Sequence, residues 1–217
     1  MNQPWSLFCS KCERTESANG LPTVCPACGS PWLVRYAALP KPAARKALAS
    51  RPWTMWRYRE WLPLTGDEEP VSLGEGMTPL LRWAPLERSI GIRTVWVKDE
   101  SKNPTGSFKA RGLSAAVTAA VRGGATAFTI PTAGNAGVAL SAYARRAGIP
   151  VHVFAPASTP HVMLDQIRAF GADLKLLDGH IGDCGKAARE FAAQHGAFDV
   201  STLREPYRIE GDRKSVV

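Results

Sequence analysis

Residues 127–155 read AFTIPTAGNAGVALSAYARRAGIPVHVFA and contain two short apolar runs with a helix-like segment between them. The runs Ala127–Pro131 and Val151–Ala155 have the length and composition of buried strands. The segment Asn135–Ala147 is predicted as a helix, because Gly148-Ile149-Pro150 supplies a stop directly after it. Two strands joined by a helix predict a right-handed crossover in a parallel sheet.

The same alternation of strands and helices extends in both directions from this unit. Upstream, Val95–Lys98 is predicted as a strand and Ser107–Arg122 as a helix with one apolar face. Downstream, the predicted elements are a helix over His161–Phe170, a strand over Asp173–Leu177 and a helix over Cys184–His195. The predicted fold class is therefore α/β, with a parallel sheet and flanking helices.

The positive charge is concentrated in one segment. The 217-residue chain has a formal net charge of +8, and residues 17–59 carry seven basic side chains and no acidic one. Because aromatic residues lie among these cations, nucleic-acid binding is one hypothesis. A connecting arm with packed aromatics and solvated cations is the favoured interpretation. Residues 60–211 have no net charge, so we expect no nucleic-acid partner for them.

Composition and termini exclude several classes of protein. The chain is 45% hydrophobic and 21% charged, which is typical of globular proteins and excludes fibrous and largely disordered classes. No apolar run approaches the roughly 18 residues of a membrane span. The N-terminus MNQPWSLFCSKC lacks the pattern of a secretory signal. We therefore expect a cytoplasmic protein with no membrane partner.

Four cysteines near the N-terminus have the spacing of a zinc ribbon. Cys9, Cys12, Cys25 and Cys28 form two C-x2-C pairs separated by twelve residues. Each pair can project two thiolates from a tight turn, and two such turns complete a tetrahedron around zinc. Two disulfides are the alternative, which the absence of an export signal disfavours. With four sulfur ligands the metal has no open position, so the predicted zinc is structural.

Two junctions between a predicted strand and the following helix carry candidate functional residues, at the sheet edge where α/β proteins bind ligands. In the first junction, Pro104 and Gly106 force a turn, Ser107 is placed to cap the helix, and Lys109 lies in its first turn. The positive end of the helix dipole disfavours a charged amine there. Neutral lysine forms imines, so this placement suits Schiff-base chemistry. An exposed lysine without a role is the alternative.

The second junction consists mostly of small residues and reads Pro131-Thr132-Ala133-Gly134-Asn135-Ala136-Gly137. Small side chains let a ligand reach the backbone N–H groups of a helix N-terminus, which form a cradle for a carboxylate or a phosphate. The Asn135 side chain is placed to donate a hydrogen bond to a ring oxygen. A simple glycine turn is the alternative interpretation.

Together the two junctions resemble the fold-type-II pyridoxal-phosphate enzymes, and within them the threonine synthase family. The most specific likeness is the string Asn103-Pro104-Thr105-Gly106-Ser107-Phe108-Lys109, shortly after Lys98-Asp99-Glu100. Three further stretches are similar to that family: Gly74–Leu80, Thr132–Gly137 and Ser201–Gly211. Some threonine synthases also have a cysteine-rich N-terminal ribbon, so the likeness covers residues 1–211.

The resemblance implies pyridoxal 5'-phosphate as the cofactor and a role for each junction. Lys109 is expected to bind the cofactor covalently and then to move protons at Cα and Cβ of the substrate. Asn135 is expected to hydrogen-bond the 3′ oxygen of the pyridoxal ring. Thr132 and the backbone of Ala133–Ala136 are expected to hold the carboxylate of a small amino-acid substrate. The implied reaction converts O-phosphohomoserine and water into threonine and phosphate.

One position departs from the threonine synthase pattern. Many members of that family have an acidic residue directly after the lysine, whereas this chain has Ala110. A threonine or serine ammonia-lyase, or another β- or γ-replacement enzyme of the fold, is therefore the alternative activity. A zinc-ribbon protein that binds nucleic acid is the alternative outside the enzymes.

The resemblance also sets the expected domain organisation. We expect a zinc ribbon over residues 1–34, a basic arm and the first segment of the larger domain over 35–94, and the smaller α/β domain with the reactive lysine over 95–211. Family members are much longer, so we expect an inactive N-terminal fragment of a homo-oligomeric enzyme. The loop that holds the cofactor phosphate and the partner of the pyridine nitrogen are expected in a missing C-terminal part. Residues 212–217, DRKSVV, match the translation of a common sequencing adapter, which predicts a non-native tail.

Overall fold

The computed structural model of the chain describes residues 4–38, 42–66 and 68–216. Its N-terminal part is an antiparallel sheet with β1 in the centre, formed by β1 (Trp5–Cys9), β2 (Thr15–Ser17) and β3 (Trp32–Tyr36). Alternate residues of β1 point inward, as the period of a strand requires, so that Leu7 is fully buried. We call residues 4–36 the ribbon.

The segment after the ribbon contains short helices and a separate two-stranded sheet. Its elements are α1 (Pro42–Ala47), 3₁₀ turns over Leu48–Ser50 and Met55–Trp61, β4 (Leu80–Arg82), α2 (Ala84–Ile90) and β5 (Trp96–Lys98). β4 and β5 pair antiparallel. The placement of the Val95–Lys98 strand in the parallel sheet was therefore wrong. The Leu80–Arg82 segment, which the sequence reasoning did not identify as a strand, takes up its hydrogen bonds.

The rest of the chain forms a parallel sheet with flanking helices. After a 3₁₀ turn over Glu100–Lys102, the elements are α3 (Lys109–Arg122), β6 (Phe128–Pro131), α4 (Asn135–Ala147), β7 (Val151–Pro156), α5 (His161–Ala169), β8 (Asp173–Leu177), α6 (Ile181–His195), β9 (Phe198–Asp199) and α7 (Tyr207–Asp212), followed by a 3₁₀ turn over Arg213–Val216. The strand order is β8-β7-β6-β9, and all neighbours are parallel.

The α/β prediction is confirmed, and the differences are local. The predicted helix over Asn135–Ala147 has those bounds, and three of the predicted strands match β6, β7 and β8 within one residue. The helix predicted from Cys184 begins earlier, at Ile181, because the side chains of His180 and Asp183 form a reciprocal cap at its start. β9 was not predicted, since two residues give no periodic signal.

The main core lies between the sheet and the helices α3 and α4. Its fully buried side chains include Leu113, Phe128, Ile130, Leu140, Tyr143 and Val153. α4 begins so close to the end of β6 that a Cβ atom at Gly137 would lie 2.3 Å from Cγ2 of Thr132. Glycine at this position therefore lets the helix start directly beside the strand. Within the described ranges, no helix has the length and apolarity needed to cross a membrane.

The β4–α2–β5 unit has an apolar surface that the rest of the described chain does not cover. Six large apolar side chains of this unit are between 49% and 58% exposed: Leu80, Leu81, Trp83, Ile90, Ile92 and Trp96. Exposed apolar side chains that lie together in this way are unusual on the surface of a monomeric domain.

Candidate active site

Lys109 is the first residue of α3 and follows a tight turn. Gly106 in that turn has φ +70°, a conformation that favours glycine. The expected Ser107 cap is wrong, because the helix begins two residues later and Phe108 occupies the N-cap position. The Ser107 carbonyl instead accepts a hydrogen bond from the Ala110 N–H at 3.3 Å. The prediction that Lys109 lies in the first turn is confirmed.

The environment of Lys109 lowers the pKa of its amine. Burial is the largest cause, because desolvation disfavours the charged form. Asp212 acts in the opposite direction, with its Oδ2 3.5 Å from Lys109 Nζ, and the nearby Arg208 guanidinium lowers the pKa further. The ring of Phe108 lies against the amine, with its centroid 3.7 Å from Nζ. Lys109 is thus closer to its neutral, nucleophilic form than an exposed lysine.

The loop between β6 and α4 presents backbone N–H groups. Gly134 has φ +155° and ψ −121°, which only glycine adopts without strain. Oγ1 of the buried Thr132 accepts hydrogen bonds from the N–H groups of Gly134 and Gly137, at 3.1 and 3.0 Å. The N–H groups of Ala133, Asn135 and Ala136 have no hydrogen-bond acceptor among the described residues. The Thr132 hydroxyl therefore shapes the loop, and these three N–H groups are available to an anion.

Asn135 occupies the first position of α4, and its side chain is exposed. No hydrogen bond to that side chain occurs among the described residues, so its amide is available to a ligand. Lys109 is thus the first residue of α3, and Asn135 is the first residue of the next helix, α4. α3 and α4 pack against each other in the core, which holds these two helix starts in a fixed relation.

Arg208 is a candidate site residue that sequence reasoning missed. Its side chain is only 4% exposed, and its Nε has no hydrogen-bond acceptor in the described part of the chain. Nη1 donates to the Val200 carbonyl at 3.2 Å, and Nε lies 4.0 Å from Asp212 Oδ2. A buried cation with a free donor is costly unless an anion meets it. Arg208 lies inside the Ser201–Gly211 stretch, but nothing in that pattern shows that its side chain is buried.

These groups converge at the carboxyl edge of the parallel sheet. β6 and β9 are neighbours, and Thr129 is paired with Asp199. The glycine-rich loop follows β6, and Val200, which holds Arg208, follows β9. Lys109 Nζ and Arg208 Nε lie within 3.5 and 4.0 Å of the same carboxylate oxygen. A primary amine, a guanidinium and free N–H groups thus lie at the same edge of the sheet, where α/β proteins bind ligands.

A buried carboxylate joins the arm to both site helices. Glu75 is fully buried, and its oxygens accept hydrogen bonds from Trp56 Nε1 at 2.7 Å, Ser114 Oγ at 2.6 Å, Tyr143 Oη at 2.7 Å and the Leu73 N–H at 2.9 Å. Since Ser114 lies on α3 and Tyr143 on α4, the network fixes these helices relative to each other. The three side-chain donors lie 19 to 68 residues from Glu75 in the sequence, and only the Leu73 N–H is close to it. Sequence patterns could therefore not reveal this network.

A second polar network supports the turn before Lys109. Arg111 is 2% exposed and binds both oxygens of Glu100, at 2.7 and 2.9 Å. Thr78 and the side-chain amide of Asn103 also donate to Glu100. Burial raises the pKa of Glu100, but the hydrogen bonds from Arg111 and Thr78 outweigh it and hold the pKa below its usual value. Arg111 is therefore bound within the protein and not available to a ligand.

The structure brings the four predicted metal ligands together. The Sγ atoms of Cys9, Cys12, Cys25 and Cys28 all lie within 4.8 Å of one another, and the two closest pairs are 3.4 and 3.5 Å apart. Four thiolates around zinc are spaced by about 3.8 Å. Gly29 has φ +69° in the turn after the second pair, and Glu13 takes φ +60° after the first. Hydrogen bonds from Ser30 lower the pKa of Cys28 to about 6, whereas hydrogen bonds with the neighbouring thiols and burial raise the pKa of Cys12.

Several cations of the basic arm have partners within the chain. Arg51 forms a two-fold salt bridge with Glu60. Arg59 donates to the Gly66 carbonyl at 2.6 Å, and the Arg35 guanidinium lies 3.6 Å from the centroid of the Phe8 ring. These contacts leave fewer cations for a polyanion than the sequence count indicates.

The donor set around Lys109 fits pyridoxal phosphate. A depressed-pKa amine can form an imine with an aldehyde, and the free N–H groups after β6 can bind an anion. The hydroxyls of Thr105 and Ser107, in the turn before the lysine, are buried without hydrogen-bond partners among the described residues. Unsatisfied buried hydroxyls next to a reactive amine are typical of a site that a polar ligand completes.

This fold and this site define the class of protein. Residues 71–217 match the family described as "Pyridoxal-phosphate dependent enzyme", so the chain belongs to that family. Among curated proteins, it is similar to threonine synthases. It is 31% identical over 207 residues to the threonine synthase of Methanocaldococcus jannaschii, and this match covers 94% of this chain and 51% of that enzyme. It is 36% identical over 177 residues to the threonine synthase of Mycobacterium leprae, and this match covers 80% of this chain and 49% of that enzyme. The chain thus spans about half the length of these relatives.

Solved structures show the same fold. A pyridoxal 5'-phosphate-dependent aspartate racemase superposes with a TM-score of 0.56 at 27% identity, over 62% of this chain and 42% of that one. A diaminopropionate ammonia lyase from Escherichia coli superposes with a TM-score of 0.60 at 21% identity, over 67% and 42%. These likenesses show the fold-type-II architecture, with a parallel sheet and flanking helices.

Proposed function

We propose that this chain is the N-terminal part of a lyase that converts O-phosphohomoserine and water into threonine and phosphate. The observation that carries the proposal is that the Lys109 amine, with its lowered pKa, lies near the buried guanidinium of Arg208 at the sheet edge. One of these groups suits imine formation, and the other suits a phosphate. The similarity to threonine synthases supports the same substrate.

Pyridoxal phosphate, when bound, supplies an electron sink for charge that develops on substrate carbon atoms. We assign Lys109 to bind its aldehyde carbon and to move protons at Cα and Cβ of the substrate. The lowered pKa of the amine favours both roles, since a neutral amine can accept a proton near neutral pH. The Phe108 ring lies against the amine and shields one side of it, while the Lys109 side chain remains 25% exposed.

The glycine-rich loop is assigned to hold the substrate and the ring of the cofactor. The free N–H groups of Ala133, Asn135 and Ala136 lie at the positive end of α4 and suit the substrate carboxylate. Thr132 contributes by fixing Gly134 in the conformation that exposes these groups. The exposed Asn135 amide is assigned to the 3′ oxygen of the ring.

Arg208 is assigned to the phosphate group of the substrate. A guanidinium presents a planar set of donors that matches phosphate oxygens and keeps its charge when buried. Burial lowers the pKa of Arg208 because its guanidinium has lost contact with water. A bound anion replaces that lost solvation and stabilises the charged guanidinium. The Asp212 carboxylate occupies that position here, and we assign it no role because it lies in the segment predicted to be non-native.

The four cysteines are assigned to a structural zinc ion. Their Sγ spacing supports a tetrahedral site, and four sulfur ligands leave no position for a substrate. We retain the proposed domain division, with a zinc-ribbon domain over residues 1–34, an arm over 35–94 and an α/β domain over 95–211. We also retain the proposal that the complete enzyme is a cytoplasmic homo-oligomer.

The reaction is tested with pyridoxal phosphate and either O-phosphohomoserine or threonine, by measuring released phosphate and ammonia. Phosphate release that Lys109→Ala abolishes supports the proposal, and ammonia release from threonine supports the ammonia-lyase alternative. Binding is measured in parallel, because the chain spans about half the length of its relatives. We expect O-phosphohomoserine to bind more tightly than homoserine. Arg208→Gln removes that difference, whereas the matched variant Arg204→Gln, at a 40% exposed side chain, retains it.

A further inference from the structure

The ribbon and the α/β region share one apolar core. The buried side chains of Tyr207 on α7 and Ala119 on α3 pack among those of the ribbon: Trp5, Leu7, Cys9, Ala18, Cys25, Trp32 and Val34. Two of the four candidate metal ligands, Cys9 and Cys25, are thus in the same cluster as Tyr207 and are at most 1% exposed. A change in the arrangement of the thiols must therefore alter the packing of this cluster.

Polar contacts reinforce the same interface. The Tyr207 hydroxyl donates to the Ala18 carbonyl at 3.3 Å. The Arg122 guanidinium lies 5.3 Å from the Trp5 ring centroid and 5.7 Å from that of Tyr207, and a salt bridge of 2.8 Å to Glu68 holds it there. Two aromatic rings, one from each region, are thereby joined through one cation.

α7 is held by the ribbon on one side and by α3 on the other. The helix has six residues, Tyr207–Asp212, and a helix of this length is not stable by itself. Tyr207 anchors its start to the ribbon, while Gly211 packs so closely on α3 that a Cβ atom there would lie 2.2 Å from the Arg111 carbonyl oxygen. Arg208, the next residue after Tyr207, has its guanidinium at the edge of the sheet.

We propose that Tyr207 is a positioning residue through which the metal-loaded ribbon fixes Arg208 at the active site. The inference rests on the proposed zinc site and on the role proposed for Arg208. When the four thiolates are held by the metal, Cys9 and Cys25 keep the ribbon core closed around Tyr207. Without the metal, the core loosens, and α7 loses the anchor that sets the direction of Arg208.

Thermodynamic linkage makes this coupling measurable from both ends. If zinc binding stabilises the position of α7, then a weakened α7 anchor must lower the affinity for zinc by the same factor. The Tyr207 side chain is no metal ligand, so such a change cannot come from the loss of a ligand. The readout is independent of enzymatic activity.

The experiment compares three variants of the full chain with the unmodified protein. Tyr207→Leu keeps an apolar side chain but removes the ring and the hydroxyl, and Tyr207→Phe restores the ring. Arg35→Gln is the matched control, because it removes a contact on the outer face of the ribbon. Zinc affinity is measured by competition with a chromophoric chelator, and hydrogen exchange is followed at residues 205–212 and in β7.

We expect Tyr207→Leu to lower zinc affinity about tenfold, within the usual range of coupling between sites. The zinc affinities of the Tyr207→Phe and Arg35→Gln variants are expected to stay within about twofold of that of the unmodified protein. Removal of zinc speeds amide exchange over residues 205–212 and leaves β7 protected.

Three results would overturn the inference, and they are distinguishable from one another. One zinc per chain with unchanged exchange at residues 205–212 on its removal contradicts the coupling alone. Loss of protection in β7 as well shows global unfolding in place of a local effect. A chain that binds no zinc contradicts both the metal site and the coupling, whereas failure of Arg208→Gln to affect O-phosphohomoserine binding contradicts only the proposed function.

Discussion

The ribbon and the parallel-sheet region obtain their structure from different interactions. The sheet region buries a continuous apolar core between β6, β7 and the helices α3 and α4. The ribbon has three strands of three to five residues and brings four thiols together at one end. Apolar burial can hold the first region, but a unit as small as the ribbon needs a metal or disulfides. Apolar periodicity therefore specifies one region, and the chemistry of four side chains specifies the other.

The largest expected effect separates the two regions by their dependence on metal. Binding of a structural zinc supplies on the order of 10 kcal/mol to folding. Cys25→Ser is therefore expected to remove zinc and to abolish amide protection in the ribbon, while β6, β7 and β8 stay protected. The measurements are metal content and hydrogen exchange. Cys184→Ser is the matched control, because Cys184 is buried in α6 and is no part of the cluster. Equal zinc loss in both variants contradicts the comparison.

The next effect tests whether apolar packing alone holds the sheet region. Glu75→Leu leaves the Tyr143 hydroxyl and the Leu73 N–H without an acceptor, whereas Trp56 Nε1 keeps Ser114 Oγ and Ser114 Oγ keeps the Val71 carbonyl. Each buried donor left unpaired costs about 1–3 kcal/mol. We expect a loss of several kcal/mol in the free energy of unfolding, measured with urea, and a smaller loss for Glu75→Gln.

Glu190→Gln is the control for this pair, since its side chain is 59% exposed on α6. Its effect is expected to stay within about 0.5 kcal/mol. If Glu75→Leu is as stable as this control, the buried network contributes nothing, and the sheet region rests on its apolar core alone.

A smaller effect is expected at the loop between β6 and α4. Gly134→Ala forces a side chain into φ +155°, which costs about 1–3 kcal/mol. Gly182→Ala is the matched control, because Gly182 lies in α6 with open space where a Cβ would be. We expect only the first variant to lower stability and to weaken carboxylate binding in a titration with homoserine. Equal behaviour of the two variants contradicts a strained loop.

The remaining effect is a pH dependence within the sheet region. Burial raises the pKa of Glu205 from 4.5 to about 7. The folded state therefore binds more protons than the unfolded state between these values, and stability falls as pH rises through this window. The slope is at most about 1.4 kcal/mol per pH unit. Urea unfolding along this range is expected to show the slope in the unmodified chain and a flatter profile in Glu205→Gln; a slope of the opposite sign contradicts the assignment.

The sequence was sufficient where local patterns determine structure. Asn135–Ala147 is bounded by a glycine-rich loop and a Gly-Ile-Pro stop, so its limits could be predicted. The cysteine spacing predicted a cluster that the structure contains. The Lys109 position followed from Pro104 and Gly106, which require a turn directly before the helix.

The features that were missed depend on contacts between distant parts of the chain. β5 pairs with β4, which has no strand signal of its own, and β9 has only two residues. Arg208 is identifiable only once α7 is packed against α3, because an arginine in a sequence gives no sign of burial. The shared core of the ribbon and α7 joins residues nearly two hundred positions apart, as in the hydrogen bond between Tyr207 and Ala18.

The central claim, that Lys109 binds pyridoxal phosphate, is tested most directly by reductive trapping. The chain is titrated with pyridoxal phosphate, treated with borohydride and digested, and the modified lysine is identified by mass spectrometry. We predict that Lys109 is labelled at lower cofactor concentration than Lys102 or Lys175, whose side chains are 64% and 44% exposed. Labelling that follows exposure, with Lys109 behind these two lysines, would contradict the account.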